Sequence, residues 1–169
     1  MVTIGRTAPK AEGNVFYNAR IQAARFNEKF YSREGAAEET TVDRTKLVRI
    51  EGGTVTPNPD DVVMMANEYH APELRDYYCA NLCPIGRCAK AVPVEDTNLD
   101  RISIKALAGF AKIKTARRLL LQISEDGIVD ESEIGDMDSI IQVLTEVEQV
   151  SKELKCFVEK QRMNKEGGY

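Results

Sequence analysis

Between Asn14 and Phe30 the apolar residues Phe16, Ala19, Ala23, Phe26 and Phe30 recur at intervals of three and four. That spacing is one stripe of an amphipathic helix, and Asn14 is placed to cap its start. Ser32 then opens a short second helix, SREGAAEET, carrying Ala36 and Ala37. The residue three after Ser32 is Gly35, so no capping-box carboxylate is present. After a turn over residues 40–42, Asp43 caps a third helix that reaches Ile50 and stops at Gly52-Gly53. The stretch TVTPNP leads into a fourth helix from Asp60 to Tyr69, in which Val62, Val63, Ala66 and Tyr69 share a face. Pro72 opens a fifth, PELRDYYCANLC, which must end before Pro84. No alternating strand pattern appears in the first 83 residues.

PIGRCAKAVPVEDT, residues 84–97, holds a glycine, two prolines and no helical period, and reads as a linker. Beyond it the pattern lengthens. Leu99, Ile102, Ala106, Gly109, Ile113, Ala116, Leu120 and Ile123 keep the three-four spacing, and so do Met137, Ile140, Leu144, Val147, Ser151, Leu154 and Val158. Two such seams joined by one short break predict an antiparallel helical hairpin. The hairpin buries little alone, so its seams are expected to pack on their own core, on the first domain or on a second subunit. The predicted organisation is a flexible lead (1–13), a five-helix domain (14–83), a linker (84–97), a helical hairpin (98–162) and a frayed tail (163–169). The fold class is all-α.

Composition adjusts this picture only modestly. The chain has 23 Lys+Arg and 27 Asp+Glu, a formal net charge of −4, so it carries no polybasic tail for nonspecific nucleic-acid coating. A local positive surface remains compatible with that balance. No apolar run of about eighteen residues predicts a membrane span. The N-terminus has no signal-peptide core, and a cytoplasmic location is expected. Cysteines 79, 83, 88 and 156 are then expected as thiols rather than disulfides.

Three cations, Arg44, Lys46 and Arg49, fall within six positions of the third helix. Taken alone, such a cluster ordinarily marks a solvated helix face. Cys79, Cys83 and Cys88, with Cys156 or His70, could form a tetrahedral zinc set, but their spacing departs from the usual two-residue gap. Buried thiols are the plainer reading, and no metal is expected. SEDGIVDESE has Asp126, Gly127 and Glu133 where a calcium loop would, yet Gln122 and Ser124 stand at its first and third ligand positions. A helix C-cap at Gly127 and an N-cap at Asp130 explain the same letters. His70 is the sole histidine, and no motif sets a nucleophile or paired carboxylate beside it. Neither enzymatic activity nor a cofactor is expected.

Two short helices, a turn and a cation-rich second helix are the ingredients of a helix-turn-helix. The stretch REGAAEETTVDRTKLVRIEGGTVTPNPDDVVMMANEY resembles the Cro/C1-type, or xenobiotic-response-element, family. The resemblance rests on Arg33 and Ala37 in helix 2, Val42 at the turn, the Ile50-Glu51-Gly52-Gly53 element and Pro57, and it covers residues 15–75. Thr41 stands where the family has a glycine, and NEKFYSRE is longer than the family's usual loop. YYCANLCPIG and the hairpin are also similar to a subgroup of such regulators from anaerobic Gram-positive bacteria and their mobile elements. The resemblance implies a lambda-repressor-like five-helix domain that binds double-stranded DNA. Arg44, Thr45 and Arg49 would read bases, Arg33, Lys46 and Thr54 would hold phosphates, and Arg20 would brace Glu51. It also implies a transcriptional regulator, expected as a repressor, acting as a homodimer on an inverted repeat, with the C-terminal helices as the natural dimer surface. The rival expectation is a protein-interaction module, antitoxin-like or regulator-binding, that keeps this fold without strong DNA binding.

Overall fold

A computed structural model describes residues 13–95, 97–124 and 130–166, and every regular element among them is a helix. The chain is all-α. It divides into two compact units, one of residues up to 91 together with those from 159 onward, the other of residues 92–158. Of the expected N-terminal lead, only Gly13 lies within the described residues.

In the first unit α1 is Val15–Ala23. The Asn14 side-chain oxygen accepts from the Phe16 and Tyr17 amides at 2.9 and 3.2 Å, while its Nδ2 donates to the Ile50 carbonyl at 2.9 Å. One side chain thus caps α1 and ties it to the end of α3, Arg44–Glu51. The first helix is shorter than the expected Asn14–Phe30. Asn27 accepts from the Lys29 amide at 3.1 Å and starts a separate 3₁₀ turn, Glu28–Tyr31. Its side chain offers the backbone a local alternative to the helical ladder, which a count of apolar spacings does not register. The turn places Phe30 in the core, edge-on to both Phe26 and Tyr69.

Helix α2, Arg33–Thr40, is capped by Ser32, whose Oγ accepts from the Gly35 amide at 2.9 Å. At Gly35 the backbone runs so close to the 3₁₀ turn that an added Cβ would lie 2.4 Å from the Lys29 carbonyl oxygen. The turn into α3 depends on Thr40. Its buried hydroxyl donates to the Ala36 carbonyl at 2.6 Å and accepts from the Val42 amide at 3.3 Å. Those bonds and the burial of Val42 hold Thr41 left-handed at φ 57°, a conformation that costs a residue with a Cβ about 1–2 kcal/mol. Asp43 caps α3 by accepting from the Lys46 amide at 3.0 Å.

Helix α4, Pro59–Glu68, starts with a full capping box. The Asp61 amide donates to Asn58 Oδ1 at 2.7 Å, and the Asn58 amide donates to Asp61 Oδ2 at 3.0 Å. Helix α5, Glu73–Tyr77, runs on as one π turn, Tyr78–Leu82. The expected linker is not wholly irregular: Pro84 begins α6, Pro84–Cys88, because proline suits the first helical position. Phe16, Phe30, Leu47, Ile50, Val62, Met65 and Leu74 form the core of this unit.

The end of α8, Ile134–Glu166, also belongs to the first unit. Glu159 pairs with Arg75, Lys160 with Glu73 at 2.6 Å, and Asn164 meets His70 at 3.3 Å. Residues 163–166, expected to fray, are therefore helical, because side chains of the last turns have partners. His70 is itself left-handed at φ 50° and stacks on Phe26 at 4.6 Å.

In the second unit α7, Leu99–Ile123, runs antiparallel to the first part of α8. Lys105 meets Glu153 at 3.1 Å and Lys112 meets Glu146 at 2.7 Å, so seven residues forward on one helix match seven back on the other. Ile102, Ala106, Gly109, Ala116 and Ile123 line the α7 side as expected, but Leu99, Ile113 and Leu120 stay exposed. On α8 Met137, Ile140, Val147 and Leu154 pack inward as expected and are joined by Val143, Val150 and Phe157, while Leu144 and Val158 are exposed. Apolar letters border the true seam on α8, and the two lysine–glutamate pairs select between the alternatives. Helix α7 closes at Ser124, and the C-cap expected at Gly127 lies outside the described residues. Asp130 accepts from the Ser132 and Glu133 amides at 2.7 and 3.1 Å, one turn before α8. No helix among the described residues is long and apolar enough to cross a membrane.

Gly35 offers a test of this packing. On an open helix, Gly→Ala stabilises by about 1 kcal/mol through helix propensity. Here the new methyl meets a backbone carbonyl, and Gly35→Ala is expected to destabilise by about 1–3 kcal/mol, measured by urea unfolding. A more stable variant would show that α2 does not approach the 3₁₀ turn this closely.

Candidate functional site

Helix α3 turns Leu47 and Ile50 into the core and leaves Arg44, Thr45, Val48 and Arg49 exposed. At 100° per residue those four positions share an arc of about 140° on the outer side. The arc combines two guanidinium forks, one hydroxyl and one branched apolar side chain. Val48 is not among the residues expected at the site, and its place between Arg44 and Arg49 on the helical wheel is the sequence signal for it.

The cations around α3 are not equally free. Arg44 pairs with Glu34, and both side chains are about three-fifths exposed, at 57 and 61%. A hydrogen bond from its own backbone amide, and then the Arg44 guanidinium, hold the Glu34 carboxyl below its ordinary range. An ion pair this exposed is weak and exchanges readily for another anion. Lys46 instead meets Asp61, which also closes the capping box of α4 and is only 11% exposed. Arg33 Nε donates to Glu51 Oε2 at 2.7 Å. Arg49 is exposed, and its side chain has no ion pair among the described residues. Thr54, expected at a phosphate, donates its hydroxyl to the Arg49 carbonyl at 3.1 Å and closes the end of α3.

Arg33 and Lys46, expected at phosphates, each face a carboxylate of their own unit in this arrangement. Glu51 and Asp61 lie 18 and 15 residues further along the chain, so only the folded packing of α2, α3 and α4 sets them opposite those cations.

Beneath the exposed arc lies the pair expected as a brace. Arg20 Nε donates to Glu51 Oε1 at 2.6 Å and Nη2 to Oε2 at 3.0 Å, with the two residues 2 and 1% exposed. Arg20 Nη1 also donates to the Phe30 carbonyl at 2.7 Å. The fork–fork geometry satisfies both charges inside the core and fixes the C-terminal end of α3 to α1. Burial, with the Glu51 charge behind it, pushes the neighbouring Tyr69 phenol above its ordinary value.

The cysteine expectation divides. Cys156 is buried and Cys83 half-buried, but Cys79 and Cys88 are exposed, because the helix carrying Cys79 widens into the π turn and Cys88 ends α6. Among the described residues no three His, Cys, Asp or Glu side chains are grouped to hold a metal ion. A cleft of about 380 Å³ lies in the first unit beside Asn14, Phe16, Thr54, Pro57, Tyr77 and Leu82, and no charged side chain lines it. No family model, no curated protein and no solved structure matches this chain.

Removing one partner of the brace strands the other. Arg20→Met is expected to destabilise the protein by about 3 kcal/mol or more, since Arg33 alone remains to face the Glu51 carboxylate. Arg20→Met with Glu51→Met should recover part of that loss in urea unfolding. A single variant as stable as the parent would remove the brace from the account.

Proposed function

We propose that the protein is a sequence-specific regulator of the Cro/C1 helix-turn-helix type, which lays α3 in the major groove of double-stranded DNA as a dimer on an inverted repeat. The observation that carries this reading is the outer arc of α3: Arg44, Thr45, Val48 and Arg49 on a helix braced from behind. Arginine forks pair with guanine O6 and N7, and a valine suits the thymine methyl, so the arc has the chemistry to distinguish base pairs. Arg49 is the stronger reader because no carboxylate among the described residues pairs with it. Arg44 must exchange Glu34 for a base or phosphate. Arg33 and Lys46 act mainly as braces, which leaves few phosphate contacts for each copy and makes a second copy important for affinity.

The same ion pairs favour a second reading, a protein-interaction module, because three of the four cations near α3 already face carboxylates. A single stoichiometric protein partner, with no sequence enriched from a random DNA pool, would decide for that reading.

Selection of bound DNA from a random pool at moderate salt is expected to yield an inverted repeat, with affinity falling as salt rises. On the selected site, Arg49→Ala should lower affinity about tenfold or more, the worth of one bidentate base contact. Glu34→Gln should raise it by releasing Arg44. Unchanged binding by the Arg44→Ala, Arg49→Ala double variant would refute the assigned reading surface.

A further inference from the structure

Helix α7 turns small side chains inward and large ones outward. Three of its five buried positions are Ala106, Gly109 and Ala116, whereas Ile104, Leu107, Phe110 and Leu121 are 56 to 69% exposed. At 100° per residue those four share an arc of about 120°, roughly opposite the seam with α8. Lys114 and Arg118 fall within the same arc, and Arg117 borders it. These three cations are exposed and have no ion pair among the described residues, while Lys105 and Lys112 face Glu153 and Glu146. Residues 101–124 hold six cations and no carboxylate, in a chain with 27 Asp+Glu. The one carboxylate of α7, Asp100, precedes Ile104 by a turn. Asp138 and Glu148 lie on the side of α8 turned away from α7. From Ile104 to Leu121, over about 26 Å, the outer side of α7 is thus apolar and cationic at once.

Exposed apolar side chains grouped in this way mark an interaction site, and the charge among them selects its occupant. A nucleic-acid duplex offers phosphates to the cations but nothing to Ile104, Leu107 and Phe110. A protein groove covers those three, but it must then bury Lys114 and Arg118 in their midst, each with a carboxylate of its own. An anionic bilayer accepts both kinds of side chain together. Isoleucine, leucine and phenylalanine enter the boundary between headgroups and acyl chains. The stems of lysine and arginine lie along that boundary while their charged heads reach the lipid phosphates. No helix among the described residues is long and apolar enough to cross a membrane, so the fit is to the interface alone.

We propose that the outer side of α7 is a membrane-surface site: Ile104, Leu107, Phe110 and Leu121 enter the headgroup boundary of an anionic bilayer, and Lys114, Arg117 and Arg118 hold lipid phosphates. The site is separate from α3 and does not rest on the DNA-binding reading. At about 0.1 M salt the full chain is expected to cosediment with vesicles containing about one third phosphatidylglycerol and not with vesicles of phosphatidylcholine alone. Lys114→Gln, Arg117→Gln and Arg118→Gln combined should lower partitioning about a hundredfold. Leu107→Gln with Phe110→Gln keeps the charge and should lower it about tenfold or more, with the far-ultraviolet circular dichroism unchanged. The chain has no tryptophan, so Leu107→Trp supplies a single reporter, whose emission should move to shorter wavelength on the anionic vesicles. Arg44→Ala with Arg49→Ala should bind the vesicles as the parent does. No binding to anionic vesicles, equal binding to neutral ones, or binding that survives the Leu107→Gln, Phe110→Gln change would overturn the site. Loss of binding in the Arg44→Ala, Arg49→Ala variant would also overturn it, by moving the contact to α3. An acidic soluble protein held through Leu107 and Phe110, with the vesicles left unbound, would overturn it in favour of a protein partner. Because vesicle binding is read without DNA, a chain that binds in this way and enriches no DNA sequence would sink the functional proposal and leave this one standing.

Discussion

The Arg20–Glu51 pair is the constraint on which the first unit depends. Two charges taken out of water must satisfy one another almost completely, and here the guanidinium spends two donors on the carboxylate and a third on the Phe30 carbonyl. Those bonds connect α1, the 3₁₀ turn and the last turn of α3. Arg33 adds α2 to the same carboxylate. Apolar packing of Leu47 and Ile50 would hold α3 against the core without strongly specifying its rotation. The buried fork adds direction, and so it bears on which side chains of α3 face outward.

That rotation determines the chemistry available at the surface. Among the described residues Arg49 has no ion pair, Arg44 is loosely paired, and Lys46 is tied to the start of α4 through Asp61. The unit thus has little net positive field despite its cluster of cations. A surface of this kind suits recognition by a few directed contacts better than by bulk attraction to phosphate, because each fork is aimed while its surroundings are close to neutral. The left-handed Thr41 belongs to the same geometry. The Thr40 hydroxyl and the buried Val42 set the α2–α3 angle, and the strain at Thr41 is the cost of making that turn without a glycine.

The hairpin applies a different rule. Its inner seam holds two small clusters, Ile102 and Ala106 with Val150, and Ala116 and Ile123 with Ile140, with Gly109 against Val147 between them. The Lys105–Glu153 and Lys112–Glu146 pairs fix its register, with Glu153 fully buried in the arrangement.

Much of the local structure was legible in the sequence because it depends on neighbours a few residues apart. Asn14, Ser32 and Asp43 cap helices where the pattern placed them, Gly53 is left-handed after α3, and the long three-four repeats form a hairpin. The all-α class and the pairing of Arg20 with Glu51 were also legible, the latter through a family resemblance rather than through spacing. The end of the first helix at Ala23 with a separate turn after Asn27, the helix begun by Pro84 and the helical turns up to Glu166 were not. Each depends on a hydrogen bond or contact that competes with the plain hydrophobic period. At the candidate site the sequence determined which residues α3 carries. Only the tertiary structure decided that Lys46 and Arg33 face Asp61 and Glu51, that Val48 joins the outer arc, and which flank of α8 is buried. The reason is physical: an ion pair joins groups 15 to 48 residues apart, and its strength depends on distance and burial in three dimensions, which the order of residues does not contain.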